Sequence, residues 1–118
     1  MFEHLKEKLA QGREVREIEA MDARELDEIG LSRNDLISVA QTPNAVRERM
    51  EAMAAVHGVS ASTLNENRVD YVELLAKCRH CGQTAHCADF LGDARAAGDG
   101  ADFCPNHSDY VALAAATH

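Results

Sequence analysis

Cys78-Arg79-His80-Cys81-Gly82-Gln83-Thr84-Ala85-His86-Cys87, joined farther along by Cys104, contains every cysteine of the 118-residue chain. A Cys-x-x-Cys turn places two sulfurs on one side of a tight loop, where both can bind one metal centre and where binding favours the thiolate form. A redox disulfide uses the same spacing, but it leaves Cys87 and Cys104 without a role and needs the strand-and-helix setting of a thioredoxin-like unit. Cys78, Cys81, Cys87 and Cys104 are therefore read together, as the four ligands of one metal site.

The spacing also bears on which metal. Structural zinc sites draw their ligands from two closely spaced pairs, whereas here one pair is joined by two isolated cysteines. A cubane iron–sulfur cluster holds its four cysteine sulfurs farther apart than a single ion does, and Cys104 is followed by Pro105, as in the last cysteine of the bacterial ferredoxin run. The expected cofactor is a 4Fe-4S cluster, with zinc as the alternative. His80, His86 and His107 each lie within three residues of a cysteine, and Asn106 follows Cys104 by two. These four are candidates to donate hydrogen bonds to sulfur, and the histidines are also candidates to replace a thiol, although solvent exposure is preferred to ligation where four thiols are already at hand.

With all four positions taken by cysteine, no open site is left for substrate, and no Asn or Asp can be placed by spacing to orient a Cys–His pair. No enzymatic activity is expected.

Outward from the cysteines the pattern is helical. Leu64, Val69, Val72, Leu75 and Ala76 predict one helix from about residue 60 or 62 to Lys77, ending at Cys78. Thr84 is expected to cap a short helix carrying Cys87 with Phe90 and Leu91 as apolar shielding, and Asn106 with Asp109 to open a last helix through Ala114. Backbone donors at the start of that helix should lie close to the Cys104 sulfur. The Gly-rich stretch from Gly92 to Gly100 reads as an exposed loop.

Upstream, residues 2 to about 19 read as a polar helix interrupted at Gln11-Gly12. Asp22 with Glu25 and Ser32 with Asp35 form N-terminal capping devices for two short helices, with Gly30 as the stop between them. Thr42-Pro43 opens another helix, threonine capping and proline in its first turn, whose Val46, Met50 and Met53 share a face until Gly58 ends it. The class expected is all-α: five or six short helices stapled by the four-cysteine site. Residues 1–57 form an N-terminal helical region and residues 58–118 the metal-binding domain.

Twenty acidic against twelve basic residues give a net charge of −8. Nucleic acid needs a basic face for its phosphates and is not expected as a partner; Arg33 and Asn34 alone do not make a helix-turn-helix reader. The expected partner is a protein, basic or redox-active, with self-association through the N-terminal helices. No apolar run is long enough to span a membrane, and Met1-Phe2-Glu3-His4-Leu5-Lys6 lacks the apolar core of a signal peptide, so the expected location is the cytoplasm, where thiols stay reduced.

Cys78-x2-Cys81-x5-Cys87 followed by Phe103-Cys104-Pro105-Asn106 resembles the short bacterial proteins grouped as domain of unknown function family 6455, over roughly residues 60 to 110. Residues 17–36, from Glu17-Ile18-Glu19 to Asn34-Asp35-Leu36, are similar to the helical motif of the YjiS-like proteins. Some of those are basic and associate with RNA; this segment is acidic. The resemblance implies a small bacterial cytoplasmic protein with the same four cysteines, and implies no reaction.

Overall fold

The computed structural model describes residues 2–93 and 98–116. Among these residues the chain is all-helical, with no strand. Eight helices follow in order: α1 (Phe2–Glu19), α2 (Ala23–Ile29), α3 (Arg33–Gln41), α4 (Asn44–Val56), α5 (Ala61–Glu66), α6 (Arg68–Arg79), α7 (Thr84–Leu91) and α8 (His107–Ala116), with a 3-10 turn at Gly98–Ala101 ahead of α8. The contacts divide the chain into two compact units, Met1–Asn44 and Ala45–His118. That division falls after the first residue of α4, whose Val46, Met50, Met53 and Ala54 are buried in the second unit.

In the first unit α1 packs against α3. It runs unbroken through Gln11-Gly12, since a single glycine costs a helix only about 1 kcal/mol. The capping devices form as their residue types dictate: Asp22 Oδ1 accepts from the Glu25 N–H at 2.8 Å, and Ser32 Oγ from the Asp35 N–H at 3.1 Å. Gly30 closes α2 at φ +83°, its N–H donating to the Leu26 carbonyl at 2.9 Å. Arg33 then does something its position in the sequence does not announce. Its guanidinium donates to the carbonyls of Ile18, Glu19 and Met21 at 3.3, 2.8 and 2.8 Å, putting a cation on the negative end of α1. Thr42 does not cap α4: its hydroxyl donates back to the Ser38 carbonyl at 2.8 Å, and the Asn44 N–H is taken by Glu7 Oε1 at 2.6 Å.

In the second unit α4 ends at Gly58, φ +84°, where the Val59 N–H reaches back to the Ala54 carbonyl at 2.9 Å. The single helix expected from about residue 60 to Lys77 is two. Asn67, extended at φ −112° and ψ 98°, separates α5 from α6, and its side chain accepts from the Asp70 N–H at 3.2 Å to start the second. Leu64, Leu74, Leu75, Met50, Met53, Val59 and Tyr110 are buried together in this unit's core.

Asn106 joins the start of α8 to the middle of α6. Rather than capping α8 with its side chain, it lies 1 % exposed and donates through Nδ2 to the Leu74 carbonyl of α6 at 2.8 Å and to the Tyr110 hydroxyl at 3.4 Å. Tyr110 in turn donates to the Met50 carbonyl of α4 at 3.4 Å. Three helices thus meet through one amide and one phenol, in a core where unmet polar groups are costly. Asn106→Ala should lower the stability of the metal-free, reduced chain by about 1–3 kcal/mol, read from its urea midpoint; an unchanged midpoint would mean that this bridge does not hold the unit together.

Candidate metal centre

Three of the four cysteines are delivered by the ends of helices and the fourth by a helix interior. Cys78 sits in the last turn of α6, Cys81 in the turn that follows, Cys87 in the middle of α7 and Cys104 just before α8. The turn is short because the Cys81 N–H bonds the Cys78 carbonyl at 3.3 Å, and the Gln83 N–H then donates to Cys81 Sγ at 3.2 Å. Thr84 does not cap α7 with its hydroxyl; Gln83 holds the cap position without a side-chain bond, and Thr84 faces the cysteines instead. All four cysteines are free thiols, and all four line one pocket. Met53, Phe103 and Pro105 supply its apolar wall, and Arg49, Asn106 and Tyr110 its polar side.

The electrostatics of the pocket follow from that crowding. Burial pushes the Cys78 thiol up, against the opposing pull of the Arg49 guanidinium, which also hydrogen-bonds it. Burial pushes Cys87 up as well, helped by the neighbouring Cys104 and countered by Arg49. Cys104 is raised by burial too, while the backbone N–H groups of Asn106 and His107 favour its thiolate, as expected for a sulfur facing a helix start. The Cys78 thiol also has the Val46 carbonyl as an acceptor at 3.8 Å. Among the described residues, no group of three or more His, Cys, Asp or Glu side chains stands already closed around the position of an ion; the thiols share the walls of the pocket.

The donor set nevertheless suits a thiophilic centre. Four soft sulfurs, three backbone N–H groups aimed at two of them, one guanidinium and an aromatic wall are what a multi-thiolate centre requires. Asn106 Oδ1 is a buried acceptor with no donor, on the polar side of the same pocket.

The other candidates lie elsewhere. His80 is exposed at the end of α6, its N–H bonded to the Ala76 carbonyl. His86 is exposed and stacks on Phe103 with ring centroids 3.8 Å apart, while Phe90 meets the same ring edge-on at 5.6 Å. His107 turns to His57: His57 Nε2 and His107 Nδ1 stand 2.8 Å apart, and His57 Nδ1 donates to the Met53 carbonyl at 2.8 Å. None of these histidines lines the thiol pocket. Of the loop expected from Gly92 to Gly100, residues 94–97 lie outside the described residues; Gly98–Ala101 forms a 3-10 turn, and a Cβ on Gly100 would stand 3.1 Å from the Phe90 ring.

Reading the sequence missed Arg49, Met53 and Tyr110. A signal existed for the first two: they are one helical turn apart on α4, so they share a face that reaches the same pocket.

A family model described as "Family of unknown function (DUF6455)" matches residues 38–116. No curated protein and no solved structure matches the chain.

Two outcomes follow from the thiols. The unfolded chain ionises its cysteines near the ordinary value of 9.0, while the folded chain holds Cys78, Cys87 and Cys104 protonated to higher pH. Below 9.0 their contribution to stability is constant, and it is lost as pH rises through the raised values, so the urea midpoint of the reduced, metal-free chain should fall on going alkaline. Arg49→Gln removes the group that opposes burial at Cys78. At a fixed alkaline pH it should slow alkylation of Cys78, read by peptide mass spectrometry, with Cys81 as the internal comparison; an unchanged rate would mean that the guanidinium does not act on that sulfur.

Proposed function

We propose that this chain, which belongs to the family of unknown function DUF6455, binds a 4Fe-4S cluster through Cys78, Cys81, Cys87 and Cys104 and serves in one-electron transfer or redox sensing. The single observation that carries the reading is the convergence of all four cysteines, from three helix ends and a helix interior, on one pocket. Such a cluster, when bound, supplies a centre that accepts and returns one electron without forming or breaking a bond in the protein.

The chain's own residues provide the setting. Arg49 places positive charge beside Cys78 and Cys87, which favours thiolate ligation and the more negative, reduced state of whatever the sulfurs hold. The N–H groups of Gln83, Asn106 and His107 stabilise charge on Cys81 and Cys104. Phe103, backed by His86 and Phe90, limits water on one wall. With every ligand a cysteine, substrate chemistry has no vacant position, so the role proposed is not enzymatic. The electron comes from and goes to a protein partner, and the cytoplasm is the compartment in which these thiols would stay reduced for assembly. Leu5 and Leu9, 54 % and 60 % exposed on α1, are the apolar residues through which copies of the chain would associate.

Anaerobic purification followed by a visible spectrum, with iron, sulfide and zinc assayed on the same sample, tests the reading. A brown protein with iron matching sulfide is expected, and Cys→Ser at any of the four positions should remove most of both. A colourless protein retaining one zinc per chain would overturn it and make the centre a structural staple for a protein-interaction module.

A further inference from the structure

A second concavity lies away from the thiols, between α6 and α8. Leu74, Ala112 and Leu113 form its floor, and Asp70, Glu73 and Asp109 stand around it; with its mouth it measures about 520 Å³. Lys77 Nζ meets Asp109 Oδ2 at 3.1 Å, both side chains about half exposed, and Asp70 and Glu73 are the groove's other two carboxylates. Val69, one turn before Glu73 on α6, is 51 % exposed.

We propose that this groove docks a basic amphipathic helix presented by a partner protein. A cleft between two helices accepts the ridge of a third. An apolar floor with acidic edges selects a helix carrying leucine-like side chains on one stripe and Arg or Lys at the flanking positions, the helix-in-groove mode of recognition. The chain's net charge of −8 steers such a partner inward and repels an acidic one.

The position of the groove gives the docking a use. Leu74 in its floor is four residues, about 6 Å of helix rise, before Cys78. Asp109 at its edge lies in the first turn of α8, which starts directly behind Cys104. Asn106 lines the thiol pocket and bonds the Leu74 carbonyl, so the two concavities share a wall. A helix seated there would bring a partner's redox centre close to the cysteines. That use rests on the iron–sulfur reading; the docking itself does not.

The test is an NMR titration of the ¹⁵N-labelled full chain, its iron and zinc content assayed beforehand, with a synthetic helix bearing a leucine stripe flanked by arginines. Two controls accompany it: the same peptide with glutamate for arginine, and a scrambled peptide of equal charge without the stripe. Saturable shifts centred on Val69, Asp70, Glu73, Ala112 and Leu113 are expected, with at least about tenfold weaker binding in Glu73→Lys and little binding of either control. Glu73 is exposed, and the spectrum of the variant reports directly whether it is folded. Equal binding of the scrambled peptide, shifts spread over the acids of α1 and α2, or an unaffected Glu73→Lys would each overturn the proposal. Because the readout does not depend on which metal is bound, a zinc-only sample that binds the peptide sinks the electron-transfer reading alone, and an iron-loaded sample that ignores it sinks the groove alone.

Discussion

Crowding four thiols around one half-buried pocket is the constraint on which the rest of the second unit depends. Each thiolate loses water on entering the pocket, and each raises the cost of the next, so Cys78, Cys87 and Cys104 are all held toward the neutral form. The fold offsets this only in part, with Arg49 on one side and backbone N–H groups on the other. Such a site is poorly matched to four anions and well matched to four anions around a cation. The same imbalance links metal uptake to proton release, so affinity for any thiophilic centre should depend steeply on pH.

Helix ends make the arrangement possible. A helix terminus carries backbone groups without intrahelical partners, and here they are spent on the cysteines: the N–H groups ahead of α8 face Cys104, and the turn after α6 directs the Gln83 N–H at Cys81. The Asn106–Leu74 and Tyr110–Met50 hydrogen bonds then fix α4, α6 and α8 relative to one another. Arg49 on α4 is thereby brought to sulfurs about thirty residues farther along the chain.

Much of this could be read from the residues. Asp22, Ser32, Gly30 and Gly58 mark helix ends through local chemistry, and they act as their types predict. The four cysteines and the apolar face of α4 were legible for the same reason, since spacing alone expresses them; the face read for α6 was not, because Leu75 is buried as expected but Val69 and Ala76 are exposed and Leu74 is buried in their place. The misreadings share a different cause. Thr42, Thr84 and Asn106 have the composition of N-caps, but each side chain is engaged outside its own helix start: Thr42 with Ser38, Thr84 at the pocket, Asn106 with Leu74. For Asn106 tertiary demand decides between a local and a distant partner, whereas Thr42 stays local and takes the carbonyl one turn back in the preceding helix; composition encodes neither choice. Asn67 shows the reverse case, a cap inside an otherwise continuous apolar pattern that broke one expected helix into two. His107 is close to Cys104 in sequence, yet its side chain is taken by His57, which no spacing rule indicates.

The claim that the four cysteines act as one ligand set is tested most directly by X-ray absorption at the iron edge of the anaerobically purified chain. The account predicts a first shell made of sulfur alone, with a neighbouring iron beyond it, and loss of the iron shell when any one of the four cysteines is replaced. A first shell containing nitrogen or oxygen, or iron that survives loss of Cys87 or Cys104, would contradict it.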